Sequence, residues 1–320
     1  MRVAVIGAGG IGGLYGGLLA RAGHDVRFLA RGRHLQAIQE RGLRVESAQF
    51  GTFTLEARAS ASAAELGPGE ADLVLFAVKT FDLEQAATPA RELLAPDGSL
   101  LTFQNGVDAP DRLAEVIPAE RVLIGTTGLE TTILDPGVIG QLSTSHYVFV
   151  GALHGPPTPR VQTLVKTLQA AGINATEAAD GHRALWEKAY VLIPMATLTS
   201  VAESGIGPIR DLPETHALLE ALLDEVLAVA SAYGYGLPEA RERASQIIHN
   251  WAYDGKASMA RDFERGNRTE LEAITGTLVR MAAAKNVDVP VSRTAYALLK
   301  LRLARLATAE NRVGSAAAGR

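Results

Sequence analysis

The first thirty residues constrain the fold of this chain more than any other stretch. Val3–Ile6 is a short apolar run, typical of a strand that is buried on both faces of a sheet. The run leads into Gly7-Ala8-Gly9-Gly10-Ile11-Gly12, which fits the pattern G-x-G-x-x-G, and a helical pattern follows. Asp25–Ala30 then has the character of a second strand. A glycine-rich turn between a strand and a helix predicts a binding site for the pyrophosphate of a dinucleotide.

Each part of this turn has a physical task in such a site. Gly7 permits the tight turn, Gly9 lets the backbone approach the pyrophosphate, and Gly12 lets the helix lie close to the strand. The N–H groups at the start of the helix carry partial positive charge and face the phosphates. The alternative is a glycine-rich turn in an unrelated α/β domain. We expect these residues to bind the cofactor: Gly7, Ala8, Gly9, Gly10, Ile11 and Gly12.

The composition is typical of a soluble globular protein, with 47% hydrophobic and 21% charged residues. A length of 320 residues allows two cores. Cysteine is absent, which excludes disulfides, thiolate metal sites and a cysteine nucleophile, and we expect no metal. No apolar run reaches the roughly 18 residues of a membrane helix, and the N-terminus lacks a signal-peptide pattern. We therefore expect a cytoplasmic protein with no membrane partner.

Any attraction for an anionic ligand must be local, because the net charge is −4 and no dense basic run indicates a nucleic-acid partner. The strand Val26–Ala30 is followed by Arg31-Gly32-Arg33, where an NAD-binding domain has an acidic residue for the ribose 2′-OH. A guanidinium suits a 2′-phosphate instead. The sequence therefore favours NADPH/NADP+ over NAD. The alternative is that Arg31 and Arg33 are solvated loop charges.

Polar residues also follow two later strands. Ala71–Val78 ends in Lys79, and Ser99–Phe103 is followed at once by Gln104-Asn105-Gly106. Ligands of open α/β sheets bind beyond the carboxyl ends of the strands. Lys79 is therefore a candidate for neutralising a cofactor phosphate, and the amide of Asn105 for contacting nicotinamide or substrate. The alternatives are a solvated lysine and an ordinary Asn-Gly turn.

The patterns further predict strand pairs within Leu43–Ala59 joined at Gly51, strands at Val122–Thr127 and within Gly137–Gly151, and a helix at Glu270–Lys285. The pattern changes from alternating strands and helices to helices alone near Ala178–Gly181. The fold class is predicted to be α/β, with an N-terminal Rossmann-type dinucleotide-binding domain at residues 1–178 and a C-terminal all-helical domain at residues 179–308. Residues 309–320 are predicted to be a disordered tail. Helix Glu214–Ala232 is a candidate interface for a homodimer.

Reduction of a carbonyl by hydride produces an alkoxide, which needs a proton from a nearby acid. Because cysteine is absent, lysine, histidine or tyrosine must serve. Lys188 lies on the first helix of the predicted second domain, and we expect it to face the cleft between the domains, where ligands commonly bind. It is a candidate proton donor that also holds a substrate carboxylate. The alternative is a surface lysine.

Several motifs spread over nearly the full length occur in one order. They are the Gly7–Gly12 turn, Arg31, Val78-Lys79, Gln104-Asn105-Gly106, Trp186-x-Lys188, Ser258-Met259-x-x-Asp262 and Glu270. This arrangement resembles the ketopantoate reductase (2-dehydropantoate 2-reductase) family. The resemblance implies NADPH-dependent reduction of a 2-oxo acid to a 2-hydroxy acid, in pantothenate synthesis. It also implies that Arg31 and Lys79 recognise the adenosine phosphate end of the cofactor.

The same resemblance implies roles for four further residues. Lys188 matches the general acid of the family, and Glu270 matches an acidic partner near that lysine. Asn105 and Ser258 match residues that hold substrate or cofactor. A carboxylate close to Lys188 is expected to keep the lysine protonated, since an opposite charge favours the charged form. The alternatives are a helix N-cap for Ser258 and an exposed salt bridge for Glu270.

The helix that bears Lys188 departs from the family in one respect. In the family, asparagines usually stand four and eight residues after the lysine. Here those positions are occupied by Leu192 and Ala196, which lie on the same helical face as Lys188. These two residues are predicted to line an apolar substrate site. The departure favours a paralogous reductase of a more apolar 2-oxo acid. A second alternative is a non-catalytic NADP-binding redox sensor, which has no need of Lys188 with Glu270.

Overall fold

The computed structural model describes residues 1–143 and 146–318, with side chains as far as Leu306. The chain divides into two compact units, Met1–Leu185 and Trp186–Arg320. The predicted boundary after residue 178 lies shortly before this division. The difference arises because a single helix, Gly181–Val201, begins in the first unit and continues into the second.

The described part of the first unit alternates strands and helices, as predicted. Its strands are β1 (Arg2–Ile6), β2 (Asp25–Leu29), β3 (Leu43–Glu46), β4 (Phe53–Leu55), β5 (Arg58–Ser60), β6 (Ala71–Phe76), β7 (Leu94–Thr102), β8 (Val122–Thr127), β9 (Thr131–Asp135), β10 (Val138–Gln141), β11 (Val148–Ala152) and β12 (Ala175–Glu177). Its helices are α1 (Gly10–Arg21), α2 (Gly32–Arg41), α3 (Leu83–Leu93), α4 (Ala109–Ala114), α5 (Pro159–Ala170) and the start of α6 (Gly181–Val201).

The main sheet has eight strands in the order β12-β11-β8-β7-β6-β1-β2-β5. Neighbouring strands are parallel except for the antiparallel pair β8 and β11. The chain passes from β1 to β2 on one side and returns to β6 on the other, so the strand order reverses at β1. In open α/β sheets, ligands bind at the carboxyl ends of strands where the order reverses. This topology confirms the predicted α/β fold class.

A second, four-stranded sheet in the order β4-β3-β10-β9 covers the other side of α1. Helix α1 is mostly buried because it contacts both sheets, and a Cβ on Gly13 would lie 2.7 Å from the side chain of Ile139 in β10. The predicted strand pair joined at Gly51 corresponds to β3 and β4, which are antiparallel. Strand β9 was not predicted. Thr144 and Ser145, inside the predicted strand region Gly137–Gly151, lie outside the described residues.

The described part of the second unit is helical, which confirms the predicted all-helical C-terminal region. After α6 come α7 (Ile206–Asp211), α8 (Pro213–Ala232), α9 (Ala240–Asn250), α10 (Ser258–Glu264), a turn of π-helix (Glu272–Gly276), α11 (Thr277–Ala284) and α12 (Pro290–Ala318). Of the helices in the described ranges, none combines the length and the apolar character that crossing a bilayer requires.

Helix α12 is held at its start by a buried carboxylate from α8. Glu225 accepts hydrogen bonds from the backbone N–H groups of Val291 at 2.7 Å and Ser292 at 2.8 Å, and from the Ser292 hydroxyl. A carboxylate at a helix N-terminus satisfies N–H groups that have no partner within the helix. The helix continues to Ala318, into the stretch predicted to be a disordered tail. The alanine-rich sequence there favours a helix, and residues 319–320 lie outside the described residues.

Candidate active site

Four predicted site elements lie at the carboxyl ends of four adjacent parallel strands. Arg31 follows β2, the Gly7–Gly12 turn follows β1, Lys79 follows β6 and Asn105 follows β7. The last two loops are hydrogen bonded, because the hydroxyl of Thr80 donates to the backbone oxygen of Asn105 at 3.3 Å. The structure therefore brings the predicted cofactor residues of the first unit to one edge of the main sheet.

Gly7 and Gly12 of the turn occupy positions that a larger residue would not fit. Gly7 has φ +93°, and a Cβ there would lie 2.8 Å from the backbone nitrogen of Val78. A Cβ on Gly12 would collide with the carbonyl oxygen of Gly7. A Cβ on Gly9, by contrast, would meet no atom within 4 Å. The turn is thus tight on the protein side and open beside Gly9, as a pyrophosphate site requires.

Basic residues follow the two strands that flank β1, one on each side. Arg31 is the N-cap residue of α2, with extended backbone at φ −138° and ψ 161°, and its side chain is exposed. Lys79 is also exposed, whereas Asn105 is half-buried. The N–H groups at the start of α1 have no partner within that helix. This edge of the sheet therefore has backbone donors and two exposed basic residues, a composition that suits an anionic ligand.

His34 also belongs to this edge, although the sequence did not single it out. Its Nε2 lies 2.8 Å from the carbonyl oxygen of Ala8 in the glycine turn, and its Nδ1 accepts a hydrogen bond from the backbone of Gly137 at 3.0 Å. The contact to Ala8 spans 26 residues and that to Gly137 spans 103. Contacts between residues so far apart leave no local pattern in the sequence.

In the second unit the structure brings Lys188 of α6 close to Glu270. Burial lowers the pKa of Lys188 to about 8, and the negative charge of Glu270 opposes this change by raising the pKa. Glu270 is itself only 5% exposed, which excludes the alternative of an exposed salt bridge for this residue. It lies just before the π-helical turn Glu272–Gly276, and such turns are frequent at functional sites. The arrangement can hold and release a proton near neutral pH.

The face of α6 that carries Lys188 is apolar over its next two turns. Leu192 is half-buried and Ala196 is fully buried. One position further, the hydroxyl of Thr197 lies 2.8 Å from the hydroxyl of Thr275, a residue of the π-helical turn. Thr197, the first buried polar residue after Ala196 along the helix, is therefore already hydrogen bonded to another side chain.

Ser258 is placed differently from the other candidates. It is the first residue of α10, a helix of seven residues, and its side chain is exposed. The N-cap of that helix is Ala257. The N-cap interpretation of Ser258 is therefore wrong, and its role in binding stays a prediction.

The glycine turn and the strand order define the first unit as a Rossmann-type dinucleotide-binding domain. Residues 3–155 match the family model described as ketopantoate reductase PanE/ApbA, and residues 180–303 match the model of its C-terminal part. The chain belongs to the ketopantoate reductase family. This finding confirms the resemblance seen in the sequence, and the chain is accordingly an oxidoreductase that acts on a CH–OH group, in a family of NAD(P)-dependent reductases.

Individual relatives cover the chain almost completely. The 2-dehydropantoate 2-reductase of Halobacterium salinarum is 34% identical over 304 residues, which are 94% of this chain and 98% of the relative. The crystal structure of a PanE/ApbA family ketopantoate reductase from Ralstonia eutropha superposes with a TM-score of 0.87 at 30% identity, covering 96% of this chain and 99% of that one. A D-mandelate dehydrogenase solved with NADH and anilino(oxo)acetate has the same TM-score and coverage at 22% identity, and so shows the fold alone.

Proposed function

We propose that this chain catalyses the NADPH-dependent reduction of a 2-oxo acid to a 2-hydroxy acid. The first candidate substrate is 2-dehydropantoate (ketopantoate), which gives pantoate for the synthesis of pantothenate and coenzyme A. The observation that carries the proposal is the half-buried Lys188 with its lowered pKa beside the buried carboxylate of Glu270. Relatives named 2-dehydropantoate 2-reductase support this choice of substrate.

In the proposed mechanism, the hydride for C2 of the substrate is supplied by the reduced nicotinamide of the bound cofactor. The C2 oxygen then becomes an alkoxide and takes a proton from the ammonium of Lys188. A pKa of about 8 suits this task, because an acid whose pKa lies near the working pH is both protonated and ready to give up its proton. Glu270 favours the protonated form that the step needs.

The residues at the edge of the main sheet support a dinucleotide cofactor with a 2′-phosphate. The open side of the turn at Gly9 fits a pyrophosphate, and the exposed guanidinium of Arg31 occupies the strand end where an acidic residue selects NAD. We assign Lys79 to the adenosine phosphate end as well. Asn105 and Ser258 are proposed to hold substrate or cofactor.

A second candidate substrate is a 2-oxo acid with a more apolar side chain. Leu192 and Ala196, on the same face of α6 as Lys188, favour it because neither can hydrogen bond to a substrate hydroxyl. A buried hydroxyl without a partner costs about 1–3 kcal/mol. Ketopantoate carries such a hydroxyl, whereas branched or aromatic 2-oxo acids do not.

A panel of 2-oxo acids assayed with NADPH tests the proposal and separates the candidates. Loss of nicotinamide absorbance with ketopantoate supports the first candidate, and loss only with apolar 2-oxo acids supports the second. Oxidation with none of them, while NADPH still binds, indicates the redox sensor instead. Lys188→Ala tests the proton donor in the same assay, and it should lower turnover by about 10²-fold or more without weakening NADPH binding.

The proposed homodimer is a separate question. Leu218 on α8 is 42% exposed, which is consistent with a surface that another copy covers. Light scattering during size-exclusion chromatography measures the mass directly. A mass of about 34 kDa, that of the 33.7 kDa chain, would contradict the homodimer.

A further inference from the structure

His34 is bonded through both of its ring nitrogens. The backbone N–H of Gly137 can only donate, so Nδ1 must offer its lone pair and the ring proton must lie on Nε2. His34 therefore donates to the carbonyl oxygen of Ala8 at 2.8 Å. A neutral ring with its proton on Nε2 satisfies both contacts at once.

The fold favours this neutral form. Burial lowers the pKa of His34, and the hydrogen bond to Ala8 opposes the decrease only in part. A protonated ring would present a second N–H to the N–H of Gly137, and the two donors could not bond.

The bond to Ala8 fixes the orientation of one peptide group inside the glycine turn. A trans peptide is planar, so the carbonyl of Ala8 and the N–H of Gly9 point in opposite directions. With the carbonyl held toward His34, the N–H of Gly9 must point away from it. The space around Gly9 is open, because a Cβ placed there would have no atom within 4 Å. The peptide that His34 orients thus borders the place where a phosphate would bind.

His34 also connects this peptide to the helix that follows Arg31. Helix α2 begins at Gly32, directly after Arg31 as its N-cap, and His34 lies in the first turn. The same side chain reaches Gly137, next to the start of β10 in the second sheet. One ring therefore joins the glycine turn, the start of α2 and the β9–β10 connection.

We propose that His34 is a positioning residue for the cofactor, which presets the Ala8–Gly9 peptide of the glycine turn for the pyrophosphate. It acts through Ala8 rather than by touching the ligand. The inference rests on the proposed dinucleotide binding at this turn. Because the pyrophosphate is common to both cofactors, His34 affects NADPH and NADH alike.

Three substitutions separate the two hydrogen bonds. His34→Gln places an amide N–H donor where Nε2 lies and keeps the bond to Ala8. His34→Asn places an acceptor where Nδ1 lies and keeps the bond to Gly137. His34→Phe keeps a ring and loses both bonds. Fluorescence titration gives the Kd of NADPH and of NADH for each, and thermal unfolding reports the stability of each.

We expect His34→Asn and His34→Phe to raise the Kd of both cofactors about 10-fold, and His34→Gln to stay within about threefold of the wild type. Thermal stability should not sort the variants in this way, because Gln and Asn each lose one bond. Equal losses of affinity in Gln and Asn, or an unchanged Kd in Phe, would overturn the inference. A wild-type protein that binds neither cofactor would overturn the dinucleotide proposal itself, and this inference with it.

Discussion

The carboxylate of Glu270 raises the pKa of Lys188, and burial lowers it by more, so that the pKa is about 8. The balance of these two effects places the proton affinity of the lysine close to neutral pH, far below the value of 10.5 for an ordinary lysine. Lysines exposed on a helix have no reason to depart from that value. A perturbed lysine beside a buried carboxylate is therefore the feature of the second unit that most strongly indicates chemistry.

The pH dependence of the reaction should follow Lys188. Lys188 is fully protonated well below pH 8 and loses its proton as the pH rises through about 8. Reduction needs the proton, so kcat/KM for the 2-oxo acid should be level below this pH and decline above it, by about 10-fold per unit. Oxidation of the 2-hydroxy acid needs the neutral amine and should increase through the same range. A reduction rate that stays level to pH 10 would contradict the role of Lys188.

Replacing the carboxylate should move this profile. Glu270→Gln removes the charge that raises the pKa of Lys188, so the decline in reduction should shift to lower pH. The measurement is the pH profile of kcat/KM for the variant and the wild type. Glu272→Gln is the matched control, because Glu272 is exposed and paired with Arg280 and Lys300. A Glu270→Gln profile that does not move would show that Glu270 does not act on Lys188.

Cofactor preference should depend on Arg31. Arg31→Ala is expected to raise the KM for NADPH by about 10- to 100-fold and to leave that for NADH nearly unchanged, because a charged hydrogen bond to the 2′-phosphate is lost. Steady-state kinetics with each cofactor measure the two effects. Arg41→Ala, at the far end of the same helix, is the control for a general loss of positive charge. An equal loss for both cofactors would refute the 2′-phosphate assignment.

The stability of the second unit should depend on Glu225. In Glu225→Gln an amide N–H replaces one acceptor oxygen and faces a donor of Val291 or Ser292. We therefore expect the free energy of unfolding to fall by about 1–3 kcal/mol. Urea unfolding followed by circular dichroism gives the change. Glu220→Gln, which loses an exposed ion pair with Arg241, should cost under about 1 kcal/mol. Similar costs for the two variants would contradict the buried cap.

Local patterns predicted the elements of the first unit well. The strand, glycine turn and helix from Val3 onward each depend on neighbouring residues, and β8 was predicted with its observed bounds, Val122–Thr127. Strand β9 was missed because its burial pattern does not alternate, with Ile133 and Leu134 adjacent and both exposed. The helix predicted from Glu270 begins instead with a π-helical turn, whose widened hydrogen-bond pattern leaves no mark on residue spacing.

The candidate site was predictable in part. The position of Lys188 on the first helix of the predicted second domain made it a candidate proton donor, with a surface lysine as the alternative, and only the family resemblance connected it with Glu270. The two residues are far apart in sequence, and their interaction depends on how the helices of the second unit pack. His34 and Glu225 were overlooked for the same reason, since each is defined by partners at least 26 residues away.

The enclosure of α1 between two sheets limits how this protein can be redesigned. With a sheet on either flank, the helix has little solvent-facing surface on which mutations could accumulate harmlessly. Attempts to change the cofactor preference should therefore leave the helix intact and alter the exposed side chains that follow β2, where bulk and charge can change without disturbing any core.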